Sequence, residues 1–245
     1  MSRLTYSFGR LVGRVIGFQT MQVRVLHGDR MDQPGGYVLA CTHLSHLEPC
    51  IISGLMHRKI DWMARIEFYK YRIAAAFLRS VAAFPVNRRG VPVKSMRSAI
   101  HRTTQGRIVG IFPEGGVVHG REAVILGGPI KLGACVIALR AGVPIVPVVV
   151  LGTPQLTRVT PWIPWRRIKL RLAFGEPIPP LNERPSRRQA RREMGEQLRQ
   201  AYLSLYEELC HTFDIPREQG AVWPDPLPAD RAPRSSTVGS TSTSI

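Results

Sequence analysis

Short apolar runs rich in β-branched residues alternate with segments of helical period, and this alternation restricts the possible folds more than any other feature of the chain. The runs lie at residues 37–41, 60–64, 81–86, 108–111, 143–151 and 168–172, with a shorter one at 23–26. Between them, residues 49–58, 65–79, 92–105 and the stretch up to about 140 read as helices, and Ser186 caps a long final helix carrying Ala190, Met194, Leu198, Tyr202 and Leu209 on one side. Strands separated by helices predict an α/β domain, with helices covering a largely parallel or mixed sheet and a site at the strand ends. The 141–157 segment carries no charge, yet Pro144, Pro147 and Pro154 argue against a membrane helix and for a buried strand. With 245 residues and 44% hydrophobic content, one sizeable core is expected. The divisions are a 1–26 amphipathic region, a 27–216 domain and a 217–245 tail whose Pro, Ser and Thr content predicts disorder.

The stretch Thr42-His43-Leu44-Ser45-His46-Leu47-Glu48-Pro49 follows the 37–41 run directly. A carboxylate five positions after a histidine can fold back across a strand-to-helix turn and accept the Nδ1 proton, which leaves Nε2 to take a proton from a hydroxyl. Such a base is worth roughly 10²–10⁴ in rate. The same residues have two plainer readings: His43 with His46 is a partial metal set, and a histidine near a helix start is commonly a capping or packing residue. A second cluster, Ile108-Val109-Gly110-Ile111-Phe112-Pro113-Glu114-Gly115-Gly116, delivers a carboxylate at a sharp turn that glycine permits. There Glu114 can accept a hydrogen bond from an acceptor hydroxyl, and the Gly115 and Gly116 amides can meet an oxyanion, although a plain tight turn uses the same residues. Arg88 and Arg89 follow the 81–86 run at a loop, where a guanidinium can hold a phosphate through paired hydrogen bonds.

Together these stretches resemble the glycerolipid acyltransferase family of the PlsC or lysophosphatidate acyltransferase type, with its His-x4-Asp and Phe-Pro-Glu-Gly boxes. Phe84-Pro85-Val86-Asn87-Arg88-Arg89-Gly90 and Val143-Pro144-Ile145-Val146-Pro147-Val148 match two further blocks in order, so the resemblance spans roughly residues 35–175. Three positions depart from the pattern. Glu48 replaces the usual aspartate, Thr42 stands where asparagine is common, and Gly116-Val117-Val118-His119 replaces the usual continuation Thr-Arg-Ser. The resemblance implies that His43, oriented by Glu48, deprotonates a lysolipid hydroxyl that attacks the thioester of acyl-coenzyme A or an acyl carrier protein. It implies lysophosphatidate as the acceptor and phosphatidate as the product. It also assigns Arg88 to the acceptor phosphate with Arg89 as a helper, and requires no cofactor or metal beyond the acyl donor as co-substrate. The missing arginine after the third box leaves room for another acceptor, such as a lyso-amino lipid or a glycolipid.

The formal charge of +17 and a pI near 10.9 call for an anionic partner: lipid headgroups, coenzyme A phosphates, an acidic carrier protein or nucleic acid. Nucleic acid is the disfavoured one, and a generally basic surface is the plain reading. Leu4, Phe8, Leu11, Val12, Val15 and Ile16 recur at helical spacing among Arg3, Arg10 and Arg14. They fit either an amphipathic helix lying in the membrane interface or one packed on the domain, but are too short and too charged to span. The basic, aromatic 65–79 segment and the Trp162, Trp165, Arg166 and Arg167 cluster suit the same interface. The resemblance accordingly places the chain on the cytoplasmic face of the cell membrane, peripheral or monotopic. Cys41, Cys50, Cys135 and Cys210 lack Cys-x-x-Cys spacing and read as buried thiols. No Gly-x-Ser-x-Gly elbow or phosphate-binding Gly-x4-Gly-Lys loop occurs. Two competitors stand beside the transferase: a non-catalytic basic module for membranes or nucleic acid, and a hydrolytic thioesterase.

Overall fold

The computed structural model describes residues 21–217 apart from 73–74, 77, 79–82, 87–92, 119, 155–167 and 182–185. Among the described residues seven strands are formed: β1 (Met21–Leu26), β2 (Tyr37–Cys41), β3 (Ile60–Arg65), β4 (Phe84–Val86), β5 (Ile108–Ile111), β6 (Ile145–Leu151) and β7 (Ile168–Phe174). They make one sheet in the order β1-β7-β6-β2-β5-β3-β4. From β6 through β4 every neighbour pair is parallel, whereas β7 runs antiparallel to β6 and parallel to β1. The helices α1 (Glu48–Leu55), α2 (Val93–Thr104), α3 (Gly133–Ala141) and α4 (Arg187–Thr212) cover the faces, giving the expected single α/β domain with a mixed sheet.

Burial on both faces explains why the central strands are continuous apolar runs. All five residues of β2 and all seven of β6 are buried. Alternate β2 residues join opposite cores: Val38 and Ala40 pack with α2, α3 and α4, while Tyr37, Leu39 and Cys41 pack with Ile52 of α1 and with Trp62 and Phe112. Pro147 is tolerated inside β6 because its carbonyl, and hence the side of its missing N–H, faces Gly175 just beyond the β7 ladder. α1 starts with Pro in its first turn, and Ser186 accepts from the Gln189 N–H to cap α4.

Two boundaries differ from the sequence expectation. The strand expected at 23–26 is formed and begins two residues earlier, at Met21, inside the 1–26 division, because Met21 and Gln22 also pair with β7. The expected continuous helix over residues 65–79 is broken: Arg65 remains in β3, paired with Val86, a 3₁₀ turn covers Ile66–Lys70, and Tyr71 is extended. Residues 1–20, the Trp162 and Trp165 cluster and the tail beyond 217 lie outside the described residues. Among those described, no helix is long and apolar enough to cross a membrane.

Candidate active site

The parallel arrangement of β6, β2, β5 and β3 brings four strand ends to one edge, so that the residues after each of them meet. His43 follows β2, Thr153 follows β6, the Phe112–Gly116 turn follows β5, and Arg65 ends β3. The expected pairing of the first box is formed: His43 Nδ1 lies 2.8 Å from Glu48 Oε2. A carboxylate only accepts, so Nδ1 carries the proton and Nε2 is the basic nitrogen. The Glu48 side chain is wholly buried and that of His43 is 13% exposed. The other carboxylate oxygen, Glu48 Oε1, accepts from the Leu44 N–H at 3.1 Å and from the Thr153 hydroxyl at 2.5 Å. Three donors therefore fix a carboxylate that burial would otherwise destabilise.

The His43 ring is clamped as well as hydrogen-bonded. It stacks on Phe112 with centroids 4.0 Å apart, and Phe112 stacks on Trp62 at 5.1 Å. Trp62 is anchored by its Nε1–H to Ser53 Oγ at 2.8 Å. This aromatic column is possible because Gly110 has no side chain: a Cβ there would lie 2.4 Å from the Trp62 ring.

Glu114 sits beside His43, and both of its oxygens are engaged by backbone amides. Oε2 accepts from the His43 backbone N–H at 2.5 Å and Oε1 from the Val124 N–H at 2.9 Å. The sequence expectation was a hydrogen bond from an acceptor hydroxyl; the structure instead directs this carboxylate at two backbone amides, tying the two box loops together. The His43 carbonyl adds a second tie by accepting from Val118 N–H at 3.0 Å. Burial raises the Glu114 carboxyl above the ordinary glutamate value even against these two amides.

Gly115 adopts φ +80°, the left-handed conformation expected of the turn, and its N–H donates to the Phe112 carbonyl at 3.0 Å. That amide is thus engaged within the turn, contrary to the expectation that it meets an oxyanion. Gly116 lines the cavity beside His43, and its N–H has no partner among the described residues. The Lys131 side chain lies against Gly115 without lining that cavity. Arg88 and Arg89 lie outside the described residues.

The cavity holds about 310 Å³ and is walled by His43, Trp62, Met63, Phe112, Leu78 and Val117, with His46, Arg65 and Phe68 also lining it. Burial pushes the Cys50 thiol, also in its wall, up to about 11, which keeps it protonated and a poor nucleophile near neutral pH. No third metal-ligating side chain joins His43 and His46 among the described residues. The arrangement is a histidine base with a buried, fully hydrogen-bonded orienter beside an apolar cavity and a free amide. Thr153 and the Phe112–Trp62 column escaped the sequence reading. The available signal for Thr153 was its place at the end of the strand next to β2, a register that only pairing reveals.

A sequence model described as acyltransferase matches residues 22–151. The 1-acyl-sn-glycerol-3-phosphate acyltransferase of Bacillus subtilis (strain 168) is 30% identical over 157 residues, which cover 64% of this chain and 73% of that protein. The crystal structure of the 1-acyl-sn-glycerophosphate acyltransferase PlsC from Thermotoga maritima superposes with a TM-score of 0.58 at 21% identity, covering 83% of this chain and 79% of that one. At that identity the structural likeness speaks for the fold. The family match takes in more than half of the chain, including the His43–Glu48 pair and the Glu114 turn, and the chain belongs to the acyltransferase family.

Proposed function

We propose that the chain transfers a fatty acyl group from acyl-coenzyme A or an acyl carrier protein to the free hydroxyl of lysophosphatidate, giving phosphatidate. The observation that carries the reading is the His43–Glu48 pair, oriented with Nδ1 toward the carboxylate at the wall of an apolar cavity, in a chain 30% identical to an acyltransferase of that acceptor. His43 Nε2 takes the proton of the acceptor hydroxyl as its oxygen attacks the thioester carbonyl. In this reading the Gly116 N–H, at a residue that lines the cavity and without a partner among the described residues, donates to the developing oxyanion. The carbon–sulfur bond then breaks, the thiolate receives the proton held by His43, and the ester is released. No acyl-enzyme is formed, in keeping with a Cys50 thiol that stays protonated. The donor serves as co-substrate, with no further cofactor.

Lipid substrates call for a membrane surface, and the proposed site of action is its cytoplasmic face, with the chain bound peripherally. Leu47, Ile66, Phe68 and Tyr71 are exposed on the two loops that flank the cavity, interspersed with the exposed Arg65, Lys70 and Arg72. Apolar side chains among cations suit a headgroup layer that is anionic outside and apolar within.

The test is transfer of labelled acyl chains to lysophosphatidate in mixed micelles, with each donor, comparing wild type with His43→Ala. Wild type is expected to form phosphatidate and the variant to lose roughly 10²–10⁴ in rate. Acyl release without an acceptor would replace the transferase with a thioesterase. Silence with both donors across a lysolipid panel would favour a binding module.

A further inference from the structure

His46 stands three residues after the base and takes no part in the proton transfer described above. Its turn is held in place, with the Leu47 N–H on Ser45 Oγ at 3.1 Å and Glu48 locked by three donors. The His46 ring meets the His43 ring edge-on at 5.9 Å between centroids, and that of Phe68 at 6.4 Å. It is exposed, lines the cavity, and makes no hydrogen bond or ion pair among the described residues. Among the described residues, the other cationic side chain in the cavity wall is Arg65, whose Nε is turned toward Glu67 at 3.7 Å.

The acceptor reading fixes where an anion must lie. When the attacking hydroxyl is on His43 Nε2, four covalent bonds lead from its oxygen through the glycerol to phosphorus, a span of about 5 Å at ordinary bond lengths. The phosphate cannot enter the inner wall, where Trp62, Met63 and Phe112 are buried and apolar. It must therefore lie on the exposed side, and there the His46 ring stands with its centroid 5.9 Å from that of the base. Each protonated nitrogen of an imidazole is a hydrogen-bond donor, suited to a phosphate oxygen.

We infer that His46 binds the headgroup phosphate of the acyl acceptor and so sets acceptor choice; this rests on the reading of lysophosphatidate as acceptor. The phosphates of a coenzyme A donor are held away from its thioester by the pantetheine arm and do not compete for this position.

Steady-state kinetics of the full chain, as wild type, His46→Ala and His46→Gln, provide the test. The readouts are kcat and KM for lysophosphatidate, KM for the acyl donor, and the Ki of monoacylglycerol, which lacks the phosphate, as a competitor. His46→Ala should raise KM for lysophosphatidate about tenfold, with kcat, donor KM and the monoacylglycerol Ki each within about twofold of wild type. His46→Gln, which keeps a donor, should recover KM to within about threefold. An unchanged KM for lysophosphatidate, a rise shared by monoacylglycerol, a change confined to the donor KM, or a fall in kcat alone would each overturn the assignment. A wild type that makes no phosphatidate would remove the acceptor reading and this inference together; an active wild type matched by His46→Ala would remove this inference alone.

Discussion

Glu48 is one methylene longer than aspartate, and its surroundings are built to that length: one oxygen reaches His43 while the other takes the Leu44 amide and the Thr153 hydroxyl. Thr153 is therefore a positioning residue, acting on the base through its orienter. Thr153→Val preserves shape and removes the donor, so kcat should fall about tenfold, with KM values unchanged and Thr153→Ser restoring the rate. A Val variant with full kcat would refute the role, as would equal losses in Val and Ser. Glu114 has a different dependence on acidity. Because burial raises its carboxyl in the folded state, the native chain keeps this proton over a pH window in which the unfolded chain has released it. Its contribution to stability consequently declines as pH rises through that window. At this scale the His43–Glu48 contact was legible, since five residues across a strand-to-helix turn suffice to make it. The use of Glu114 was not, because its amide partners His43 and Val124 are 71 and 10 residues away.

Among the elements, β5 shows how packing chooses a residue that propensity would reject. Glycine weakens a strand, yet Gly110 lies opposite Trp62 in the β3–β5 ladder and supplies the space its ring occupies. Gly110→Ala should destabilise the fold by about 1–3 kcal/mol through overpacking. It should also reduce kcat, because Trp62 supports Phe112 and Phe112 supports His43. Thermal melts beside initial rates would check this, and a variant with unchanged melting and rate would show the column to be slack. The segment after β3 illustrates the opposite limit. Its residues have good helical propensity, but pairing of Arg65 with Val86 extends the strand, and the helix expected from residue 65 is interrupted by a 3₁₀ turn and an extended Tyr71. Local period cannot register a ladder partner twenty-one residues away.

For the whole molecule, the proposed membrane binding would draw on both the formal charge of +17 and the apolar rim at the cavity mouth. Binding to vesicles containing phosphatidylglycerol should weaken as salt is raised. The double variant Phe68→Ser and Tyr71→Ser should weaken it a further tenfold or so, the loss of apolar insertion. Cosedimentation across a salt series separates the two contributions, and affinity unmoved by the double variant would exclude this rim as the lipid-facing side. The sequence by itself determined the α/β class, the strands that form the sheet's centre, the histidine with its carboxylate and the turn that carries Glu114. Each of these is written in hydrophobic period, glycine placement or spacing across a few residues. Tertiary structure decided the strand order, and with it the meeting of the ends of β2, β5 and β6. That meeting gave Glu48 its Thr153, turned Glu114 toward backbone amides, stacked Phe112 between His43 and Trp62, and set His46 at the exposed side of the cavity. The physical reason is range: period and turn chemistry act over a few residues, whereas hydrogen bonds and ring contacts between strand ends exist only once parallel pairing has closed loops of many residues.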